Sequence, residues 1–209
     1  MATHPKIILF ELNEVPFKVI DDFCTRHSDS VLARILPLAT QYVTHTDDEP
    51  LSPWITWPTL HRGVGVGEHG IAYLGLDTAE VDKSYPPIWQ TLAQRGLRVG
   101  VFGSLHTYPV PADPAGYAFY VPDTFAADGK SIPSSIDAFQ DLNLRLARAS
   151  ARNVSVELPW KQGLAVLARS PRLGLRAATL ASLAQQVVME RVRPARRVRR
   201  RTYQSILGF

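Results

Sequence analysis

The clearest structural pattern in this sequence is a helix followed directly by an apolar strand, Pro86-Pro-Ile-Trp-Gln-Thr-Leu-Ala-Gln-Arg-Gly-Leu-Arg-Val-Gly-Val-Phe102. Apolar residues recur at helical spacing over 86–95, and Gly96 suits the left-handed residue that ends many helices. Residues 97–102 then form a short apolar run that is typical of a buried strand. A helix, a glycine cap, a short turn and a strand in this order predict an α/β fold, with a mostly parallel sheet flanked by helices.

The sequence predicts further elements of the same layered fold on both sides of this unit. Strands are expected over 6–10, 42–46 and 117–122, and helices from Pro16, over 30–40, over 133–148 and within 160–192. The run Lys6-Ile-Ile-Leu-Phe10 predicts a buried strand because it is short, apolar and rich in β-formers. Glu11 and Asn13 follow its C-terminal end, which is where open α/β sheets bind ligands.

The composition is that of a globular protein rather than of a disordered or disulfide-rich chain. Of the 209 residues, 45% are hydrophobic and 20% are charged, which supplies enough apolar material for a sizeable core. The single cysteine, Cys24, excludes an intrachain disulfide framework and a multi-cysteine zinc module. No run approaches the roughly 18 apolar residues of a membrane span, and the run over 7–10 is too short for the core of a signal peptide. These features predict a cytoplasmic protein.

Charge is distributed unevenly along the chain. Residues 1–150 carry 11 basic and 17 acidic side chains, a net charge of −6. Residues 151–209 carry 12 basic and 2 acidic side chains, a net charge of +10. We therefore expect two parts, an α/β domain over 1–150 and a helical, arginine-rich extension over 151–209 that begins a cap insertion.

The arginine-rich end of the chain has more than one interpretation. Seven arginines lie between Arg191 and Arg201. They can be solvated or face an acidic partner surface, they can bind the phosphates of a nucleic acid or an anionic membrane, or the segment can be disordered. Tyr203 alone is aromatic nearby, so the sequence does not favour a stacking platform for single-stranded nucleic acid.

The strongest candidate for chemistry is the threonine in Ile55-Thr-Trp-Pro58. We expect Thr56 in a tight turn that opens a helix, with Pro58 in the first helical turn, because a hydroxyl there is exposed and lies near the amides of a helix N-terminus. A threonine hydroxyl is a poor nucleophile and needs a base or a metal ion to activate it. The alternative for Thr56 is that it only caps the helix.

Three segments, 6–13, 52–71 and 97–125, resemble in this order and spacing the alkaline phosphatase superfamily, most closely its type I phosphodiesterase/nucleotide pyrophosphatase branch. That branch opens with an apolar strand that ends in an acidic metal ligand. A threonine or serine nucleophile followed by an aromatic residue and proline comes next, and a glycine-containing segment ends in His-Gly-Ile. The corresponding residues of this chain are Ile7 to Glu11, Thr56-Trp-Pro58 and Gly63 to Ile71.

The resemblance implies roles for three residues. Glu11 becomes a metal ligand, and Thr56 becomes both the nucleophile and a metal ligand. The family holds two divalent metal ions, usually zinc. Thr59 would lie where relatives often hold phosphate with an asparagine. Two further residues are candidates because of their places after strand ends. Asn13 can orient Glu11 or the substrate, and His106 can contact substrate at the sheet edge after the strand over 97–102.

The chain departs from the family pattern at three points. The first metal ligand is Glu11 where the family usually has aspartate, and Thr59 replaces the asparagine. The family's remaining ligands, aspartates and histidines, lie in a C-terminal half that would follow residue 209. We therefore expect this chain to be a fragment that is inactive or nearly inactive by itself.

These observations predict a metal-dependent hydrolase of phosphate mono- or diesters, whose substrate is a small molecule or a phosphorylated glycan or lipid. Two other classes stay open. The chain can be a non-catalytic half that acts as a binding or assembly piece, with the C-terminal half as its partner. It can also be an anion-binding module that acts through Arg191–Arg201.

Overall fold

The structure of the chain is a computed structural model. It describes residues 6–45, 51–151, 163–164, 167–168 and 176–193. The chain divides into two units, Met1–Asp47 and Asp48–Phe209. The division expected at residue 150 stays a prediction.

The first unit contains a pair of short helices. Helix α1 is Phe17–Arg26, and α2 is Val31–Ile35, which continues as a 3₁₀ turn over Leu36–Leu38. Pro16 precedes α1 in extended conformation, and the Ser30 hydroxyl caps α2 by accepting a hydrogen bond from the Ala33 amide. These local signals explain why both predicted helices are confirmed.

The predicted strand over 6–10 is wrong for this structure. The segment has no regular secondary structure, and the side chains of Ile7 to Phe10 are between 64% and 90% exposed. A strand requires hydrogen bonds to a neighbouring strand, and the described part of the first unit supplies none. Residues 42–45 likewise form no strand, and residue 46 lies outside the described residues.

The second unit begins with helices. They are α3 (Pro53–Arg62), α4 (Val66–His69), α5 (Val81–Ser84) and α6 (Ile88–Gln94). Helix α6 confirms the helix predicted over 86–95, and Gly96 follows it with a φ of 78°, a left-handed conformation that glycine adopts without a Cβ penalty.

A parallel pair of strands follows α6. Strand β1 is Val99–Phe102 and β2 is Tyr117–Val121, and they pair in the register Val99 with Tyr117 and Phe102 with Val121. Both strands were predicted and both are confirmed. Helices together with a parallel strand pair agree with the predicted α/β class, whereas a larger sheet stays a prediction.

The core of the second unit lies where α6 packs on the two strands. Trp89 of α6 contacts Val101 of β1 and Tyr120 of β2, and all three side chains are buried. Tyr120 also forms an antiparallel bridge to Ile132. The amide of each residue donates to the carbonyl of the other. This cluster holds the C-terminal ends of the strands in place, and the loops that leave those ends carry the residues described below.

Two further helices follow the sheet. A 3₁₀ turn over Ser134–Ile136 leads into α7 (Asp137–Ala151), which confirms the helix predicted over 133–148. Helix α8 (Ala177–Val192) confirms part of the helical region predicted within 160–192, while most of residues 152–175 lie outside the described residues. No helix in the described ranges is long and apolar enough to cross a membrane.

Candidate functional site around helix α3

Helix α3 begins earlier than the sequence predicts. It starts at Pro53, with Ser52 as the residue before it, so that Thr56 is the fourth helical residue. The expected position of Thr56 in the opening turn is therefore wrong, and so is the alternative that Thr56 caps the helix. Proline at the first helical position needs no hydrogen-bond partner for its nitrogen, and the helix uses Pro53 rather than Pro58 in this way.

The Thr56 side chain is half-buried and bonded to its own helix. Its Oγ1 atom donates to the carbonyl oxygen of Ser52 at 3.1 Å, and the Thr56 amide donates to the same oxygen at 2.9 Å. The hydroxyl proton is therefore engaged in this bond. Ser52 makes no side-chain cap at the start of the helix.

Pro58 lies inside α3 and changes the hydrogen bonding one turn before it. Because proline has no N–H, it cannot donate to the carbonyl of Trp54, four residues earlier. The Nε2 atom of His106 lies 3.1 Å from that carbonyl oxygen. A carbonyl only accepts, so Nε2 carries the proton and donates, and the imidazole is the tautomer whose Nδ1 atom is an acceptor.

His106 is buried and held in an uncommon backbone conformation. Its relative exposure is 6%, and its φ of 58° lies in the left-handed region that non-glycine residues rarely occupy. The pKa of His106 is lowered to about 4, mainly by burial; the bond to Trp54 opposes this shift and the positive charge of Arg62 adds to it. The ring is therefore neutral at neutral pH.

The Asp123 carboxyl group bonds to the backbone of the loop after β1, which contains His106, and of the loop after β2. Its Oδ1 accepts from the Phe125 amide at 2.7 Å and its Oδ2 accepts from the Thr107 amide at 3.2 Å, and the His106 amide also bonds to this carboxyl group. Burial raises the pKa of Asp123, and these amide donors oppose that rise. One carboxyl group thus fixes the backbone that places His106.

A small cleft lies beside His106. Its enclosed volume is about 10 Å³, room for about one water molecule. Its lining combines apolar side chains with three titratable groups, those of His106, Tyr108 and Asp123. The lining residues are Leu74, Gly75, Leu76, His106, Tyr108, Asp123 and Phe125.

Thr59 joins α3 to α4. Its hydroxyl donates to the Ile55 carbonyl at 3.0 Å, and its Oγ1 atom lies 3.0 Å from Nε2 of His69. Nδ1 of His69 accepts from the Ile71 amide at 2.9 Å, so Nε2 carries the proton and donates to Thr59. His69 therefore links α3 to α4 through Thr59, with both of its ring nitrogens hydrogen-bonded.

His61 is a buried core residue. Its ring lies 5.6 Å from that of Trp57 and 4.8 Å from that of Trp89. Its Nε2 atom lies 3.4 Å from the Ser104 hydroxyl. His61 thus connects α3 to α6 and to the loop after β1.

Arg62 is buried, although an arginine on a helix is usually solvated. Its side chain is 0% exposed and its Nη2 atom donates to Oδ1 of Asp82 at 2.5 Å, while Thr78 donates to Oδ2 of the same carboxyl group. Burial raises the pKa of Asp82, and the neighbouring guanidinium opposes that shift. The sequence does contain a signal for this burial, since Ile55, Pro58 and Arg62 share one face of a helix that begins at Pro53.

The predicted site residues fall in both units. Thr56, Thr59 and His106 belong to the second unit, where Thr56 and Thr59 lie on α3 and His106 bonds to the same helix through Trp54. Glu11 and Asn13 belong to the first unit, and both are half-buried just before α1. The pairing of Glu11 with Thr56 at one metal ion therefore stays a prediction.

A complete metal site is not formed within the described ranges. No group of three or more histidine, cysteine, aspartate or glutamate side chains is arranged to hold a metal ion there. A catalytic zinc ion normally has three protein ligands. Glu11 and Thr56 supply one carboxylate and one hydroxyl, so they fit at most part of such a site.

The chain was compared with family models, with curated proteins and with solved structures. No family model matches it, no curated protein matches it, and no solved structure matches it.

Proposed function

We propose that this chain is part of a hydrolase of phosphate mono- or diesters in which Thr56 is the nucleophile. The supporting observation is that Thr56 is the fourth residue of α3, a ten-residue helix, and so lies near its N-terminal end. The positive end of a helix dipole favours an anionic group, even though the amides of Ile55 and Thr56 already donate to the Ser52 carbonyl. The order of the motifs around Glu11, Thr56 and His69 supports the same reaction class.

The proposed reaction uses the Thr56 oxygen twice. Thr56 Oγ1 attacks phosphorus, the bond from phosphorus to the ester oxygen breaks, and the alcohol leaves with a proton. Water then attacks the phosphorus of this intermediate and gives a proton to Oγ1, which restores the hydroxyl and releases phosphate from a monoester or a phosphate monoester from a diester. Before attack the Thr56 hydroxyl must lose the proton that it shares with the Ser52 carbonyl.

A divalent metal ion, zinc in the resemblance, would supply the activation that a threonine needs. Glu11 and Thr56 are its proposed ligands, and Asn13 would orient Glu11. The partial donor set means that other ligands must come from outside the described residues. Thr59 and His106 are the proposed contacts to the substrate, which is a small phosphate ester or a phosphorylated glycan or lipid.

A second candidate function is that of a non-catalytic half that assembles with another polypeptide segment. The observation that favours it is exposed apolar surface. The side chains of Ile7 and Ile8 in the first unit are 84% and 90% exposed, and that of Phe102 on β1 is 64% exposed. Strand-forming residues with such exposure are typical of edges that pair with another strand.

The experiment that tests the hydrolase is an assay with p-nitrophenyl phosphate and bis-p-nitrophenyl phosphate. It compares this chain, where we expect little or no turnover, with any longer form of the protein, where we expect chelator-sensitive turnover. Thr56→Ala should abolish turnover in the longer form. The matched control is Thr25→Ala, because Thr25 makes the same bond to the carbonyl four residues earlier, at 2.8 Å to Asp21.

The two candidates give different results. Full turnover in Thr56→Ala would remove the nucleophile assignment. No turnover of either ester in the longer form, with the same metal ions added, would contradict the hydrolase and favour the assembly role. In that case the chain should form a stable complex in size-exclusion chromatography with a polypeptide segment that covers its exposed apolar residues.

A further inference from the structure

We propose that helix α8 and the arginines beside it bind the surface of an anionic phospholipid bilayer. The helix spans Ala177–Val192 and belongs to the second unit. The inference is independent of the hydrolase proposed above, because it uses neither Thr56 nor Glu11. It rests on an exposed apolar stripe, on exposed arginines at both ends of the helix, and on the excess of basic charge over residues 151–209.

The first feature is an apolar stripe that α8 leaves uncovered. At 3.6 residues per turn, five exposed apolar residues fall within an arc of about 80° around the helix axis. They are Ala177, Ala181, Ala184, Val188 and Val192. The side chains of Val188 and Val192 are 60% and 69% exposed. Such a stripe gains free energy when it leaves water for an apolar medium.

The opposite face of α8 is polar and better covered than the apolar stripe. Gln186 and Glu190 lie on it, both are half-buried, and Nε2 of Gln186 donates to Oε1 of Glu190 at 3.0 Å. A helix on the surface of a globular protein normally buries its apolar face and exposes its polar one. Helix α8 has the reverse arrangement, so its apolar stripe suits an apolar environment outside the chain.

A second helical segment of the same unit adds apolar surface. Leu164 and Leu167 are both helical and three positions apart, which places them on one face of that segment. Their side chains are 62% and 48% exposed. A bilayer is a continuous surface, so it can take up both apolar regions without a fixed geometry between them.

The second feature is a set of exposed arginines at the two ends of α8. Arg176 directly precedes the helix, Arg191 lies in its last turn, and Arg193 follows it. All three residues are exposed. An arginine can lay its apolar stem along a membrane surface and keep its guanidinium at the level of the lipid headgroups. There the guanidinium bonds to phosphate and carboxylate oxygens.

The third feature is the distribution of charge. Residues 151–209 have a net charge of +10, and residues 1–150 have a net charge of −6. An anionic surface therefore attracts the C-terminal part of the chain and repels the rest. This difference would orient α8 towards the bilayer. Amphipathic helices with nearby basic residues lie in the interface between headgroups and acyl chains.

The exposed apolar side chains favour a bilayer over a nucleic acid. The phosphates of a nucleic acid would pair with the arginines, but they offer nothing to Val188, Val192 or the two leucines. A bilayer of anionic lipids satisfies both the basic and the apolar groups.

The test is flotation of the full chain with lipid vesicles in a density gradient. Vesicles of phosphatidylcholine with phosphatidylserine should carry the chain upwards, whereas vesicles of phosphatidylcholine alone should carry little of it. Added salt should release the bound chain, because screening weakens the attraction between charges. Equal flotation with both kinds of vesicle, or none with either, would overturn the proposal on the unaltered protein alone.

A triple variant tests the arginines. Arg176→Gln, Arg191→Gln and Arg193→Gln together should weaken binding to the anionic vesicles about a hundredfold, since each arginine near such a surface contributes about fivefold.

The matched control removes three exposed arginines elsewhere in the second unit. Arg95→Gln, Arg98→Gln and Arg145→Gln together change the net charge by the same amount, and should leave vesicle binding nearly unchanged. An equal loss in the two triple variants would mean that only net charge matters, which would overturn the assignment to α8.

A second pair of variants tests the apolar stripe. Val188→Thr with Val192→Thr keeps the branched shape but makes the stripe more polar, and should weaken vesicle binding about tenfold. Thr179→Val, at an exposed residue of the polar face, should leave binding unchanged. Tighter binding to double-stranded DNA than to the vesicles at the same salt concentration, with no loss in the valine variant, would identify a nucleic acid as the partner and overturn the bilayer.

Discussion

The Nε2 atom of His106 lies 3.1 Å from the carbonyl oxygen of Trp54, a residue 52 positions earlier in the chain. This bond occupies the carbonyl that Pro58 cannot reach, so the proline inside α3 leaves no unmet acceptor at this point. The same bond fixes the tautomer of His106. The missing donor at Pro58 in α3 thus determines the tautomer of His106, a residue on the loop after β1.

His106 should make the stability of the protein depend on pH between about 6.5 and 4. Its pKa is about 4 in the folded state and 6.5 in the unfolded chain. Within this window the unfolded state binds more protons, so the stabilisation is full above pH 6.5 and is lost as the pH falls through 4. The shift corresponds to a change in the free energy of unfolding on the order of 3 kcal/mol.

Urea unfolding at pH 7, 5.5 and 4 measures this effect. Asp82 and Asp123 have raised pKa values, so their contributions change in the opposite direction as the pH falls. The comparison of the unaltered protein with His106→Asn separates the histidine from these carboxyl groups. The stability difference between the two proteins should shrink towards pH 4, and a constant difference would show that His106 titrates normally.

Removing the carboxylate from the Arg62–Asp82 pair should destabilise the protein. Asp82→Ala leaves a guanidinium whose side chain is 0% exposed, and the Nε and Nη1 atoms of Arg62 already have no hydrogen-bond partner within the described residues. The cost should be about 2–3 kcal/mol, below the 3–5 typical of fully buried pairs because Asp82 is 24% exposed.

Chemical denaturation of three variants checks the buried pair. The double variant Arg62→Met, Asp82→Ala should recover part of the loss, because it removes the buried charge as well as its partner. Glu80→Ala breaks the exposed pair with Lys83 and should leave stability nearly unchanged. An Asp82→Ala protein as stable as Glu80→Ala would mean that Arg62 finds water or another acceptor.

Gly116 should tolerate alanine less well than Gly96 does. Both have positive φ values, 84° and 78°, but a Cβ at Gly116 would lie 3.0–3.2 Å from Ala93 atoms of α6, whereas a Cβ at Gly96 would meet nothing within 4 Å. Gly96→Ala should cost about 1–2 kcal/mol for the backbone alone. Gly116→Ala should cost about 2–4 kcal/mol because overpacking is added. Thermal unfolding ranks the two variants, and equal costs would exclude the close contact with α6.

The Thr59 hydroxyl should contribute to the packing of α3 on α4. Thr59→Val keeps the shape but removes the bonds to the Ile55 carbonyl and to His69, and should lower the free energy of unfolding by about 1–2 kcal/mol. Thr59→Ser keeps the hydroxyl and should recover most of this loss. A Val variant as stable as the Ser variant, in the same denaturation experiment, would show that these bonds contribute nothing net.

Local patterns in the sequence were sufficient for much of the secondary structure. Helix α6 with Gly96, the strands β1 and β2, and the start of α2 at Ser30 all follow from apolar spacing and capping residues within a few positions of each other. These interactions are local, so each short segment of sequence is sufficient to predict the helix or strand that it forms. The α/β class was predictable for the same reason.

Long-range contacts settled what the local patterns left open. The run over 6–10 has the composition of a strand, but a strand depends on a partner that composition does not specify. The burial of Arg62 depends on Asp82, and the tautomer and low pKa of His106 depend on Trp54 and on the surrounding protein. Hydrogen bonding and desolvation arise from neighbours distant in sequence, so the chemical state of these side chains follows from the tertiary structure alone.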